Sequence, residues 1–242
     1  MTRYHVLIVI LIFGIGLLMQ CEKTSSTGPQ IKAGPCVDVD GNEYETIVIG
    51  DQVWMAENLK VIHYQNGDSI ELITENATWK ETDTGAMCTY ENNDTFIPVY
   101  GLLYNGYAVL DERGLAPKGW HVATDEDWKK LEMFLGMERA SADSSGFRGI
   151  DEGGKIKSTD ILWQDPNEGA IDEHDFSALP GGTRSYQDGA FFMEGQWAYF
   201  WTGTAMPAGR MASRRLGYLT TQIVRADDFR KGYGLSVRCV QD

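Results

Sequence analysis

Residues 183–201 (TRSYQDGAFFMEGQWAYFW) interleave aromatic side chains with Arg184, Gln187, Asp188 and Glu194. Aromatic faces beside planar polar groups suit sugar rings, whose CH faces stack on π-systems while their hydroxyls take paired hydrogen bonds. Asp188-Gly189 signals a turn, which would carry the polar side chains to a loop tip, where binding residues tend to sit on a rigid scaffold. There Tyr186 would supply a stacking face and Arg184 and Asp188 hydrogen-bond partners of opposite sign, with Gln187 both donor and acceptor. The same alternation also fits an ordinary hairpin with its aromatics in the core, the commoner fate of such side chains. Arg184, Tyr186, Gln187 and Asp188 are therefore the candidate ligand-binding residues.

Other constellations carry less. Asp38, Asp40 and Asn42 match the first three ligand spacings of a calcium loop, but Ile49 stands where the twelfth-position Glu belongs, and Asp-Gly-Asn already explains a turn. Asp172, Glu173, His174 and Asp175 are consecutive, so they cannot all point at one ion, and they read as a solvated loop. No Gly-x-Ser-x-Gly elbow and no Gly-x-x-x-x-Gly-Lys-[Ser/Thr] loop occurs. Trp120 and His121 read as packing residues that fix the turn before a helix. No catalytic residue, metal site or cofactor is expected.

The segment Val6 to Met19 is wholly apolar, preceded by Arg3 and followed by a polar stretch. It is too short to span a bilayer and has the layout of a secretory signal peptide over residues 1–20. Leu17-Leu18-Met19-Gln20-Cys21 resembles a bacterial lipobox, although Gln20 replaces the usual small residue; Cys21 is the expected lipidation site. Residues 21–36 then read as a lipid-anchored flexible tether, Gly- and Pro-containing and poor in large apolar residues, with a mean span of about 20 Å. The expected location is extracytoplasmic, held to the bacterial outer membrane or cell surface, with the membrane as a partner through the lipid.

The elements that must position these residues follow from patterning. The 242-residue chain is 43% hydrophobic and 23% charged with 27 Gly, which excludes disorder, collagen and coiled coil. Its net charge of −14 repels phosphate backbones, so nucleic acid is not an expected partner. Residues 37–39, 43–49 and 52–55 read as strands separated by Asp40-Gly41-Asn42 and Gly50-Asp51 turns. Residues 125–135 read as a helix with Thr124 as N-cap, acidic residues in the first turn and Gly136 as stop, its Trp128, Leu131, Phe134 and Leu135 on one face. A weaker helix is expected over 100–110, and short strands around 176–180, 197–204, 216–224 and 234–240. The fold class is α+β, with short antiparallel strands, two helices and long loops.

Several blocks in order resemble the Fibrobacter succinogenes major paralogous domain. They are Asp40-Gly41-Asn42, the run from Gln52 to Leu59, Tyr100-Gly101-Leu102-Leu103-Tyr104-Asn105, and Pro117-Lys118-Gly119-Trp120-His121-Val122. Further on stand Gly153 to Lys157, Phe176 to Gly182, Tyr199-Phe200-Trp201-Thr202 and Gly234 to Cys239. The resemblance covers residues 37–242 and departs from the family at Gly106, where a large aromatic is usual, and at Ala116, where a Cys is frequent. It implies a C-type-lectin-like fold, similar also to sulfatase-modifying, formylglycine-generating domains, in which the first and last strands pair.

An oxidising compartment implies one cysteine pair and one odd thiol among Cys36, Cys88 and Cys239. The strand pairing of the resembled fold points to a Cys36–Cys239 disulfide. The expected function is a non-catalytic binding or adhesion module for a polysaccharide or surface glycan. An enzyme of the sulfatase-modifying type is the alternative, though Cys239 lacks the closely placed second Cys of those enzymes; a structural subunit of a surface assembly is a third.

Overall fold

The computed structural model describes Ala33 and residues 36–242. The expected signal peptide, Cys21 and most of the tether lie outside the described residues. Fourteen strands follow in chain order: β1 (Thr46–Ile49), β2 (Gln52–Met55), β3 (Glu71–Leu72), β4 (Ala86–Cys88), β5 (Leu103–Asn105), β6 (Trp120–Val122) and β7 (Gly146–Arg148) come first. They are followed by β8 (Gly181–Arg184), β9 (Phe191–Glu194), β10 (Trp197–Met206), β11 (Arg210–Gly217), β12 (Ile223–Arg230), β13 (Gly234–Leu235) and β14 (Cys239–Gln241).

They form three sheets, in the orders β1-β2-β14-β6, β10-β11-β12-β7 and β3-β4-β5-β13-β8-β9. Every strand pair is antiparallel except β3 with β4. Helices are few and short, so the class is α+β. The opening meander pairs with the end of the chain, Trp54 of β2 standing opposite Val240 of β14.

The helix Asp125–Phe134 forms as its sequence dictates. Thr124 Oγ1 accepts from the Asp127 amide while Asp127 takes the Thr124 amide, a reciprocal capping box, and Gly136 follows with φ of 117°. Its Trp128 meets Trp54 edge-on at 5.2 Å and Phe176 at 5.6 Å, in a core that also holds Phe200, Leu216 and Ile223. Beside it, Glu132 is fully buried between Arg148 of β7 and Arg214 of β11, and Asp125 takes Arg214 and Arg225. These ion pairs tie the helix to three strands of the second sheet.

The remaining sequence expectations shift in instructive ways. The expected helix 100–110 is helical only over Gly106–Val109 and, upstream, Ile97–Tyr100. Leu103 to Asn105 are buried on both sides and form β5 instead, a burial that an amphipathic helix would not give. Gly101 has φ of 69°, and a Cβ there would fall 2.7 Å from the Leu59 carbonyl, so the chain turns at that point. Around 176–180 only a bridge between Lys157 and Ala178 forms, because Ser177 takes φ of 51°. The expected strand 216–224 is in fact the end of β11, a turn, and the start of β12.

One buried side chain joins the distant segments. Arg238 donates to Asn58 Oδ1, to the Met55 and Phe176 carbonyls and to the Ser177 carbonyl. Burial pushes its guanidinium down to about 9, so its four acceptors hold a cation that the interior disfavours.

Candidate functional site

Alternation along β10 and β11 decides which side chains reach the surface of the second sheet. Phe200 and Arg214, paired across these strands, point into the core and to the helix. Their neighbours Tyr199 and Arg215 are also paired and take the opposite face, in one row with Val224 of β12 and Phe147 of β7. Trp197 shares this face, two residues before Tyr199.

The rings on this face run on without a break. Phe147 and Trp197 have centroids 6.4 Å apart, Trp197 and Tyr199 6.2 Å, and Tyr199 and Phe229 6.4 Å. The strip continues from Phe229 to Tyr233 at 4.8 Å and from Tyr233 to Tyr186 at 4.9 Å. Phe147 is 60% exposed. Trp197, Phe229, Tyr233 and Tyr186 are half-buried, and only Tyr199 is buried. Two guanidinium groups lie on the strip, Arg215 at 5.2 Å from the Phe229 ring and Arg230 at 5.1 Å from Tyr186. Arg215 Nε is buried without a hydrogen-bond partner. Burial raises the Tyr199 and Tyr233 hydroxyls above the usual tyrosine value, so both remain protonated donors.

The hairpin foreseen at Asp188-Gly189 forms the end of this strip. Strands β8 and β9 pair, the Ser185 amide donates to the Ala190 carbonyl, and Asp188 Oδ1 takes the Ala190 amide. Tyr186, Gln187 and Asp188 stand together at the tip, with Gln187 Nε2 on the Tyr186 hydroxyl at 3.2 Å. Gly232 allows the close approach of the neighbouring loop, since a Cβ there would lie 2.9 Å from Tyr186 Cβ.

Arg184 does not join them. It is fully buried, donating to the carbonyls of Gly189, Ile73 and Thr74 and to Asn76 Oδ1, and its guanidinium lies 4.5 Å from Trp79 and 4.7 Å from Phe191. At the last position of β8 it points inward, so its part is to pin the hairpin rather than to meet a ligand. The sequence reading did not select Phe147, Arg215, Phe229, Arg230 or Tyr233. The doublet Arg214-Arg215 on an alternating strand was the available signal, since one of the two must face outward.

The other candidates are accounted for locally. Asp38 accepts from the Asp40 and Asn42 amides, from Asn42 Nδ2 and from the Tyr44 hydroxyl, so its carboxylate is filled by the turn. Asp172 takes the Ser177 amide and hydroxyl, and the His174 ring packs on Phe134 at 5.4 Å. Trp120 is buried, and His121 bridges Asp127 and Asp242 at 2.9 and 2.8 Å. Among the described residues no group of three or more His, Cys, Asp or Glu side chains is placed to hold a metal ion.

Here the structure departs from the expected cross-link: Cys36 and Cys239 are thiols, as is Cys88. Cys36 and Cys239 share one core cluster with Tyr44, Val53 and Tyr104 and behave there as small apolar side chains. Burial, helped by Asp38, pushes the Cys36 thiol up to about 12, and burial raises the Cys239 thiol well above its ordinary value.

The Fibrobacter succinogenes major domain matches residues 47–241. The chain belongs to this family. No curated protein and no solved structure matches it. In this member of the Fibrobacter succinogenes major domain family, the glycine at 106 is a steric requirement: a Cβ would lie 2.4 Å from Met211 Sδ and 2.9 Å from Lys231 Cα. A large aromatic at that position would displace the strand and loop that carry Phe229 and Tyr233.

Proposed function

We propose that this protein is a lipid-anchored, extracytoplasmic binding module without catalysis, and that its ligand is a glycan chain laid along the aromatic strip. The observation that carries the reading is the run of ring contacts from Phe147 to Tyr186, partly exposed except at the buried Tyr199 and crossed by two guanidinium groups. Half-buried rings hold their orientation without a ligand, which reduces the ordering cost of stacking sugar faces on them. Arg215, Arg230, Gln187 and Asp188 supply donors and acceptors for hydroxyls at intervals along the strip.

A C-type-lectin-like fold is in keeping with the pairing of the last strand, β14, with the opening meander, through its second strand β2 rather than its first. Lipidation at Cys21 would place many copies on one surface, so that weak single sites act together. The test is a glycan array probed with residues 36–242 in multivalent form. Binding confined to extended polysaccharides supports the reading; no binding to any glycan removes it and favours a structural subunit.

A further inference from the structure

A recess lies on another part of the molecule, beside the outermost strand of the first sheet. It is a cleft of about 550 Å³ bordered by Glu45, Thr46 and Ile47 of the chain entering and forming β1. Ile97, Val99 and Leu179 contribute an aliphatic wall. Four carboxylates line it, from Glu45, Glu57, Asp160 and Asp175, against the single ammonium of Lys60, which already pairs with Glu57 at 3.3 Å.

The strand edge is open at Thr46, which borders this cleft, and runs on to Val48 beyond the lining residues. The Ala56 amide donates to the Glu45 carbonyl at 2.8 Å, and the register pairs Ile47 with Trp54 and Ile49 with Gln52. By the alternation of an antiparallel ladder, Glu45, Ile47 and Ile49 turn their backbone groups toward β2, whereas Thr46 and Val48 turn theirs outward. Since β1 ends its sheet, no strand among the described residues takes up those outward groups. An exposed edge of this kind is a template for an added strand.

We propose that this cleft captures an extended polypeptide segment with basic side chains, which adds to β1 as a further strand. The backbone of Thr46 and Val48 would bond to it. Alternate side chains of an added strand point in opposite directions, so one set meets the carboxylates and the other the aliphatic wall. Charge complementarity selects this occupant over a neutral or acidic segment: the cleft carries an excess of carboxylates on a chain of net charge −14. The proposal is independent of the glycan reading, because it uses none of the residues of the aromatic strip.

The experiment measures fluorescence anisotropy of a labelled alternating lysine–valine peptide of about six residues with the full chain. Controls are the peptide with glutamate in place of lysine and a peptide N-methylated at alternate residues. The expected result is binding of the basic peptide only, weakened about fivefold in the Glu45→Gln, Asp175→Asn double variant and about tenfold by N-methylation or by Val48→Pro. Val48→Pro removes an outward N–H while leaving the β2 ladder intact; should that variant unfold, the N-methylated peptide decides the point on the unaltered protein. Failure of the basic peptide to bind at about 1 mM, equal binding by the double variant, or equal binding of the N-methylated peptide would each overturn the proposal.

Discussion

The indole of Trp197 lies across Gly217, its partner on the adjacent strand, so closely that a Cβ on Gly217 would fall 2.9 Å from the indole Cη2. The missing side chain is what lets the ring lie down on the sheet and reach Phe147. Gly217→Ala is expected to lift the indole, costing about 1–3 kcal/mol of stability from overpacking. Shifted tryptophan emission together with a several-fold loss of glycan affinity would be the signature; unchanged affinity would place Trp197 outside the binding surface.

Arg184 anchors the hairpin from below, and its removal leaves the buried carbonyls of Gly189 and Ile73 and Asn76 Oδ1 without their donor, while the Thr74 carbonyl keeps Asn92 Nδ2. Arg184→Ala should cost about 3–4 kcal/mol, read as a lowered urea midpoint. At temperatures where the variant is folded, glycan affinity should fall far less than in Tyr186→Ala. A loss of affinity with full stability would restore Arg184 to the ligand surface.

The His121–Asp127 pair gives a defined pH window. Burial would raise the Asp127 carboxyl, but the hydrogen bonds from His121 and Thr124 prevail and hold it at about 2, so its contribution is present above the ordinary 3.8 and lost as pH falls toward 2. Asp127, opposed by burial and helped by Asp242, raises the His121 imidazole above 6.5, so that contribution is complete below 6.5 and lost as pH rises through the folded value. The stability difference between wild type and His121→Gln should therefore peak between about pH 4 and 6.5. A difference that does not vary with pH would contradict the pairing.

Burial makes the three described thiols poor nucleophiles, since the thiolate is the reactive form and both Cys36 and Cys88 are pushed up to about 12. Native protein treated with iodoacetamide should leave Cys36, Cys88 and Cys239 unmodified. In denaturant without reductant all three should be alkylated, as peptide mapping would show. Labelling of Cys88 alone under those conditions would instead establish the Cys36–Cys239 bond.

What the sequence disclosed was local. Thr124, three acidic residues and Gly136 specify one helix by short-range hydrogen bonds, and Asp188-Gly189 specifies one turn; both appear where expected. Arg184 and the 100–110 segment were misread because burial from distant elements decides them: Trp79 and Ile73 enclose the first, and β4 and β13 recruit Leu103 to Asn105 into a sheet. The aromatic strip was legible only in its first part. Phe147 and Phe229 come from segments far apart in the chain, and only the register of β7, β12, β11 and β10 brings them into line with Trp197 and Tyr199, Tyr233 following from the turn after β12.

The most direct measurement of the central claim is an isothermal titration of a soluble polysaccharide, chosen from the array, against wild type and the Tyr186→Ala, Trp197→Ala double variant. The two rings stand in different parts of the strip, and truncating a Trp or Tyr anchor of a binding surface costs about 2 kcal/mol or more. The account predicts a fall in affinity of at least about tenfold at a temperature where the variant keeps the circular dichroism of wild type, its unfolding still cooperative though at a lower midpoint. Equal affinity in the two proteins would contradict it.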